Sequence, residues 1–164
     1  MTAFRPCIDL HQGQVKQIVG GSLTDDGADT NFVSSHGAAH YAKLYQQHQL
    51  TGGHVIALGP NNQPQVLAAL AAYPNGLQFG GGVNLQNASS YLEAGASHII
   101  VTSYLFEDSE FSWQRLEAIK AEVGAEKLVL DLSCRQTDSG WMIATDRWQT
   151  ITHTAVNQQT ITEL

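Results

Sequence analysis

Charge is scarce in this 164-residue sequence. Asp, Glu, Lys and Arg together make up 14% of it, and Lys and Arg number only eight. Fifteen acidic residues bring the net charge to −7, and no run of basic residues occurs. That argues against nucleic acid as the main partner, because a nucleic-acid surface demands a basic footprint. Cysteine is almost absent. The two present, Cys7 and Cys134, lie in or beside apolar runs and read as reduced, packed thiols rather than a disulfide or metal pair. Seven histidines include no HExxH and no Cys–His zinc spacing, so no metal site is expected. No apolar run approaches the roughly 20 residues of a membrane span. The opening "MTAFRPCIDL" lacks the charged and apolar regions of a signal peptide. The expected location is cytoplasmic, with no membrane partner. What remains is 43% hydrophobic, too apolar for a disordered chain and long enough for one domain over residues 1–164 with a real core.

The chain punctuates as strands alternating with helices. "RPCIDL" (5–10) is a short apolar strand ending at Asp9, and "VKQIVGG" (15–21) a strand-like piece leading into a polar loop, "DDGADTN" (25–31). Helical spacing appears in 37–49, 63–73, 84–96 and 110–124, with Asn84 or Asn87 as caps near one start and Gly124 ending the last. β-Branched or apolar runs at 54–59, 77–83, 98–106 and 127–133 are strands, 141–152 reads as extended ribbon, and the tail from 155 begins a helix. Near-continuous apolar strands alternating with helices predict an α/β fold with a buried parallel sheet. A dinucleotide-binding sheet would carry GxGxxG after its first strand; "HQGQVKQ" stands there instead. The other closed solution is a (βα)8 barrel. "CIDLHQG" and "VLDLSCR" echo each other: Asp9 ends the first strand of the series and Asp131 the fifth.

In a barrel, strand C-termini form the active-site face. Two carboxylates there, Asp9 and Asp131, can act as base and acid if their environments separate their pKa values. They can equally cap turns. Three consecutive glycines, Gly80, Gly81 and Gly82, end the third strand of the series, where glycine otherwise only weakens a strand. With a helix starting near Asn84, that turn offers backbone N–H groups to an anion, and Thr102 and Ser103 end the next strand. Together they read as one phosphate cup; a tight turn without a ligand is the plainer alternative. Trp113 reads as core or helix packing. Trp148 could stack on a flat substrate ring or anchor the ribbon, while Arg135 and Arg147 could reach a second anion or stay solvated.

The segments "FRPCIDLHQGQVKQIVGG", "TNFVSS", "YAKLY", "GGHVIALGPNN", "LQFGGGVN", "HIIVTSYLF", "LVLDLSCR" and "TDRWQT" closely resemble the phosphoribosylformimino-5-aminoimidazole carboxamide ribotide isomerases of histidine biosynthesis. The likeness runs over essentially the whole chain and is nearest to the eukaryotic branch. Gly59 stands where typical bacterial members have aspartate. The resemblance implies a (βα)8 barrel of two similar half-barrels, an Amadori rearrangement of an aminoaldose ribotide, and no cofactor or metal. It implies Asp131 as general acid and Asp9 as general base, and Gly81, Gly82, Thr102 and Ser103 around one phosphate of a bis-phosphorylated substrate. Trp148 matches a ribbon tryptophan that moves with substrate. A plant member would sit in a plastid.

The family pattern continues beyond five βα units, and a whole barrel takes about 200–250 residues. The expectation is an incomplete barrel of about five units, without the sixth to eighth strands, the second phosphate cup and a sixth-strand threonine. Such a chain is expected to be inactive alone and to self-associate or need complementation. The related cyclase of the pathway would show a lysine near the first-strand aspartate, where this chain has "IDLHQG". A non-catalytic phosphosugar-binding module is the alternative of another class.

Overall fold

The computed structural model describes residues 3–19, 22, 29–145 and 150–164. Its framework is five parallel strands in chain order: β1 (Cys7–His11), β4 (Gly53–Leu58), β5 (Leu77–Gly80), β6 (Ile99–Val101) and β9 (Leu128–Leu130). Helices α1 (Ala38–Gln47), α2 (Gln63–Ala72), α3 (Ala88–Glu93) and α4 (Trp113–Val123) lie between them. Because the strand order never reverses, right-handed crossovers put every helix on the same face. A doubly wound sheet would reverse. The core lies between sheet and helices. Ile8, Leu10, Val55, Leu77, Phe79, Ile99 and Val101 alternate along their strands and are buried against Val66, Leu70, Leu116 and Ile119 of α2 and α4. Phe79 lies against Tyr91 of α3 with ring centroids 4.1 Å apart.

The intervening residues form the other sheet face. Asp9, Ile56, Gly80, Ile100 and Val129 make one row across it, each paired with the next in register. This face carries Asp9 among apolar residues and glycine.

The sheet extends past β1 through two antiparallel strands, β2 (Gln14–Ile18) and β3 (Thr30–Val33). Residues 15–18 of the 15–21 piece are therefore strand, its last two lie outside the described residues, and Thr30 and Asn31 of the expected polar loop belong to β3. Because β2 folds back at once, pairing Leu10 with Val15 and His11 with Gln14, β1 runs on to His11. Asp9 sits inside the strand rather than at its end, a correction to the sequence reading.

Other departures are local. The 84–96 segment becomes helical only at Ala88, because Asn84 and Asn87 turn their side chains on the loop. The Asn87 carboxamide accepts from Asn84 N and donates to Gly82 O, while Asn84 Oδ1 accepts from Gln86 N. Residues 110–111 leave the expected helix to form β8 (Glu110–Phe111), paired with β7 (Phe106–Glu107). Ser112 then caps α4. Trp113 is 44% exposed and meets Phe111 edge-on, so it braces a hairpin instead of filling the core. After β9 comes a separate antiparallel sheet of β10 (Cys134–Thr137), β11 (Gly140–Thr145) and β12 (Thr150–Ala155), then α5 (Gln158–Glu163). The ribbon was legible from 141; β10 was not. Both thiols are free, but Cys7 is exposed and Cys134 half-buried, so neither is packed as the sequence suggested.

Candidate active site

A cavity of about 570 Å³ opens at the C-terminal ends of β4, β5, β6 and β9, within the size range of small-molecule sites. Its strand-end lining includes Ile56, Leu58, Gly80, Gly81, Ile100 and Thr102. Ser103 and Asp131 complete that rim, and Phe106, Asp108 and Ser109 enter from the β7–β8 hairpin. Ser133 and residues 143–145 of the ribbon close the remaining side. Of the residues singled out from the sequence, Gly81, Thr102, Ser103 and Asp131 meet here. Asp9, Gly82 and Arg135 do not line the cavity. Asp9 is a register partner of Ile56, which does. Arg135 is exposed on β10 opposite Met142. Trp148 and Arg147 lie outside the described residues.

The three glycines answer to three different constraints. Gly80 lies between Ile56 and Ile100, where an added Cβ would come within 3.1 Å of both side chains. Gly81, at φ +105°, has its nearest neighbour in β4: a Cβ there would meet Ala57 O at 2.1 Å. The first close approach is thus backbone on backbone. Gly82, at φ +66°, faces open space. The turn thus has two successive left-handed glycines, the first of which lines the cavity with Thr102 and Ser103.

Asp131 follows β9 directly, its N–H donating to Val101 O at 2.9 Å. The residue is solvent-exposed and lines the cavity. Desolvation there raises its pKa above the ordinary aspartate value, and the charge of His54, on β4, pulls the other way. A carboxyl so shifted keeps its proton to higher pH, which suits a general acid. Asp9 has a different surrounding. It accepts the Cys7 thiol hydrogen at 3.0 Å, a contact made on one strand face because the two residues are two apart. The Cys7 thiol pKa is pushed far up by desolvation of the sulfur first, then by the hydrogen bond and charge of Asp9. His11, two residues further along the same face, is 4% exposed, and burial lowers its pKa, aided by Lys16, whose ammonium donates to Nδ1 at 3.4 Å.

Sequence reasoning missed the hairpin residues Phe106, Asp108 and Ser109, and Ser133. "FEDSEF" carries no glycine and no strand alternation long enough to mark a hairpin. Arg115 was also missed. Its guanidinium donates to Tyr104 O and Phe106 O at 3.1 and 2.9 Å, pairs with Glu107 at 2.6 Å and lies over the Tyr104 ring, fixing the loop that enters the cavity. Among the described residues no cluster of three or more His, Cys, Asp or Glu could hold a metal ion, and no helix is long and apolar enough to cross a membrane.

Residues 4–162 match the family described as histidine biosynthesis protein. The whole chain is 52% identical to the 1-(5-phosphoribosyl)-5-((5-phosphoribosylamino)methylideneamino)imidazole-4-carboxamide isomerase of Neurospora crassa, covering 66% of that protein. It is 48% identical to the isomerase of the same name from Saccharomyces cerevisiae, covering 64% of it. Over 89% of its length it is 55% identical to the chloroplastic isomerase of Medicago truncatula, covering 49% of that protein. The chain thus spans about half to two thirds of the length of these relatives. A match over residues 4–162, which take in the five parallel strands, the glycine turn and both aspartates, means that this chain belongs to the histidine biosynthesis protein family.

Proposed function

We propose that these residues belong to an aldose–ketose isomerase of histidine biosynthesis, a (βα)8 barrel that converts the 5'-ProFAR ribotide to PRFAR. The observation that carries the reading is the presence of Asp131, its pKa raised, in one cavity with Gly81, Thr102 and Ser103. A phosphate held by the turn's N–H groups and two hydroxyls, with Gly82 at its edge, would bring the sugar ring against the carboxyl. Asp131 gives its proton to the ring oxygen. The C1–O bond breaks, and the nitrogen lone pair on C1 forms the iminium. Asp9 then removes the proton on C2, and the electron pair of that C–H bond moves to neutralise the iminium, giving the enolamine. Ketonisation of the enolamine yields the aminoketose. No cofactor enters this sequence. Base and acid stand four parallel strands apart, and the raised pKa of Asp131 suits the acid's role. Arg135 and Trp148 are proposed to reach the far end of the substrate.

The test is turnover of the purified 164 residues, alone and with the C-terminal remainder of a close relative, together with Asp131→Asn. We expect activity only with the remainder, and a loss of about 10²–10⁴-fold in kcat for Asp131→Asn with substrate binding retained. A folded mixture that binds substrate but never turns it over would make this a phosphosugar-binding module instead. An Asp131→Asn variant with unchanged kcat would sink the acid assignment.

A further inference from the structure

The β7–β8 hairpin closes through only two residues, Asp108 and Ser109, since Glu107 pairs with Glu110. Both are left-handed, with φ of 47° and 68°. Two successive positive φ values define a type I′ connection, whose preferred occupants are asparagine and then glycine. This chain carries aspartate, which such a turn accepts at its first central position, and serine where the second prefers glycine. Both residues line the cavity. Among the described residues, neither the Asp108 carboxylate nor the Ser109 hydroxyl has a hydrogen-bond partner. The hairpin around them is held from three sides. Arg115 binds Phe106 O and Glu107. Ser112 N donates to Leu105 O at 2.8 Å. From β12, His153 N donates to Ser109 O at 3.4 Å, and the His153 ring meets Glu110 at 2.5 Å. A firmly braced turn that presents two uncommitted polar residues to a cavity, one of them a serine held left-handed where glycine is preferred, has the character of a binding element rather than of a mere connection.

We infer that the Asp108–Ser109 turn is the specificity element of this cavity, reading hydroxyl or N–H donors on the sugar portion of a ligand whose phosphate sits at Gly81, Thr102 and Ser103. The inference rests on the phosphosugar reading above and adds which part of the ligand is recognised, and by what. A carboxylate only accepts hydrogen bonds and repels anions. Asp108 therefore cannot share the phosphate; it calls for a neutral donor, and its two oxygens suit a vicinal diol. Ser109 can accept or donate beside it. The carboxylate also discriminates against ligands that would put a second anionic group at this end of the cavity.

The test uses Asp108→Asn, Ser109→Gly and the double variant in the full-length protein, each installing what a type I′ turn prefers. None should lower Tm. The probes are ribose 5-phosphate and inorganic phosphate, titrated calorimetrically. The double variant should lose on the order of tenfold in affinity for ribose 5-phosphate while its affinity for inorganic phosphate stays unchanged. Unchanged ribose 5-phosphate affinity, with wild-type binding intact, overturns the turn's role and leaves the phosphosugar reading standing. Equal loss for both probes also overturns it, since the turn would then only support the cup. A wild-type protein that binds neither probe removes the phosphosugar reading itself and this inference with it. Should the double variant lose Tm, Asp108→Asn alone, which preserves shape, decides between the same outcomes.

Discussion

At the residue scale, two titrating groups make opposite demands on the fold. Burial raises the pKa of Asp131, so the folded state holds its proton to higher pH than the unfolded chain does. Once pH rises through that window the ionised carboxyl weighs against folding. Asp131→Asn should therefore leave Tm at pH 7 unchanged or slightly higher while abolishing the proposed turnover, which thermal melts and kcat measured side by side would check. His11 runs the other way. Its folded pKa is lowered, so the buried ring stays neutral while the unfolded chain takes a proton near the ordinary histidine value of 6.5. The stability it contributes is fully present above that pH and is lost as pH falls through it toward the folded value. Wild-type Tm should hold above about pH 7 and drop below about pH 6.5, and His11→Gln should flatten part of that drop. A Tm–pH curve identical in the two proteins would show that the buried ring is not the cause.

At the scale of elements, the site depends on pieces that pattern reading handles badly. The parallel strands announced themselves through apolar runs, and β5 and β6 do end side by side in GGG and TS. The hairpin after β6 did not, because two-residue strands have no period to read and its turn lacks glycine. What holds it is Arg115, from the next helix. Arg115→Met should remove three hydrogen bonds to the 103–107 loop and lower stability by about 1–3 kcal/mol, toward the low end because the side chain is partly exposed. Since the same loop carries cavity residues, ligand affinity should fall too, read as a raised KM with kcat little changed. A variant with lower Tm but wild-type KM would mean that the loop keeps its place without the guanidinium. The ribbon was partly legible: 141–152 read as extended, but "CRQT" is too polar to read as a strand and becomes one only by pairing with β11.

Across the whole molecule, one apolar cluster joins the parallel sheet to its helices, and the ribbon stands apart from it. Ile143 and Ala144 are buried, yet they belong to the wall of the cavity rather than to that cluster. The two parts should open independently. In native-state hydrogen exchange, amides of β4 and β5 such as Val55 and Phe79 should be protected to the global limit, while those of β10–β12 exchange by a lower-energy local opening. Uniform protection across both sheets would show that the ribbon folds as one unit with the core. An independently opening ribbon would also give a ligand its way into the cavity.

The sequence by itself determined the α/β class, the alternation of the parallel strands with helices, and the glycine, hydroxyl and Asp131 residues at strand ends. These follow from hydrophobic periodicity and glycine placement, which act over a few neighbouring residues. Only the tertiary structure decided that Gly81 is demanded first by the backbone of β4, that Asp9 lies within its strand beside a thiol, and that Asp131 is desolvated. It alone brought Asp108, Ser109 and Ser133 to the same cavity. Each of those facts depends on atoms far apart in the chain, and desolvation, close backbone approach and pocket lining exist only once distant segments have packed.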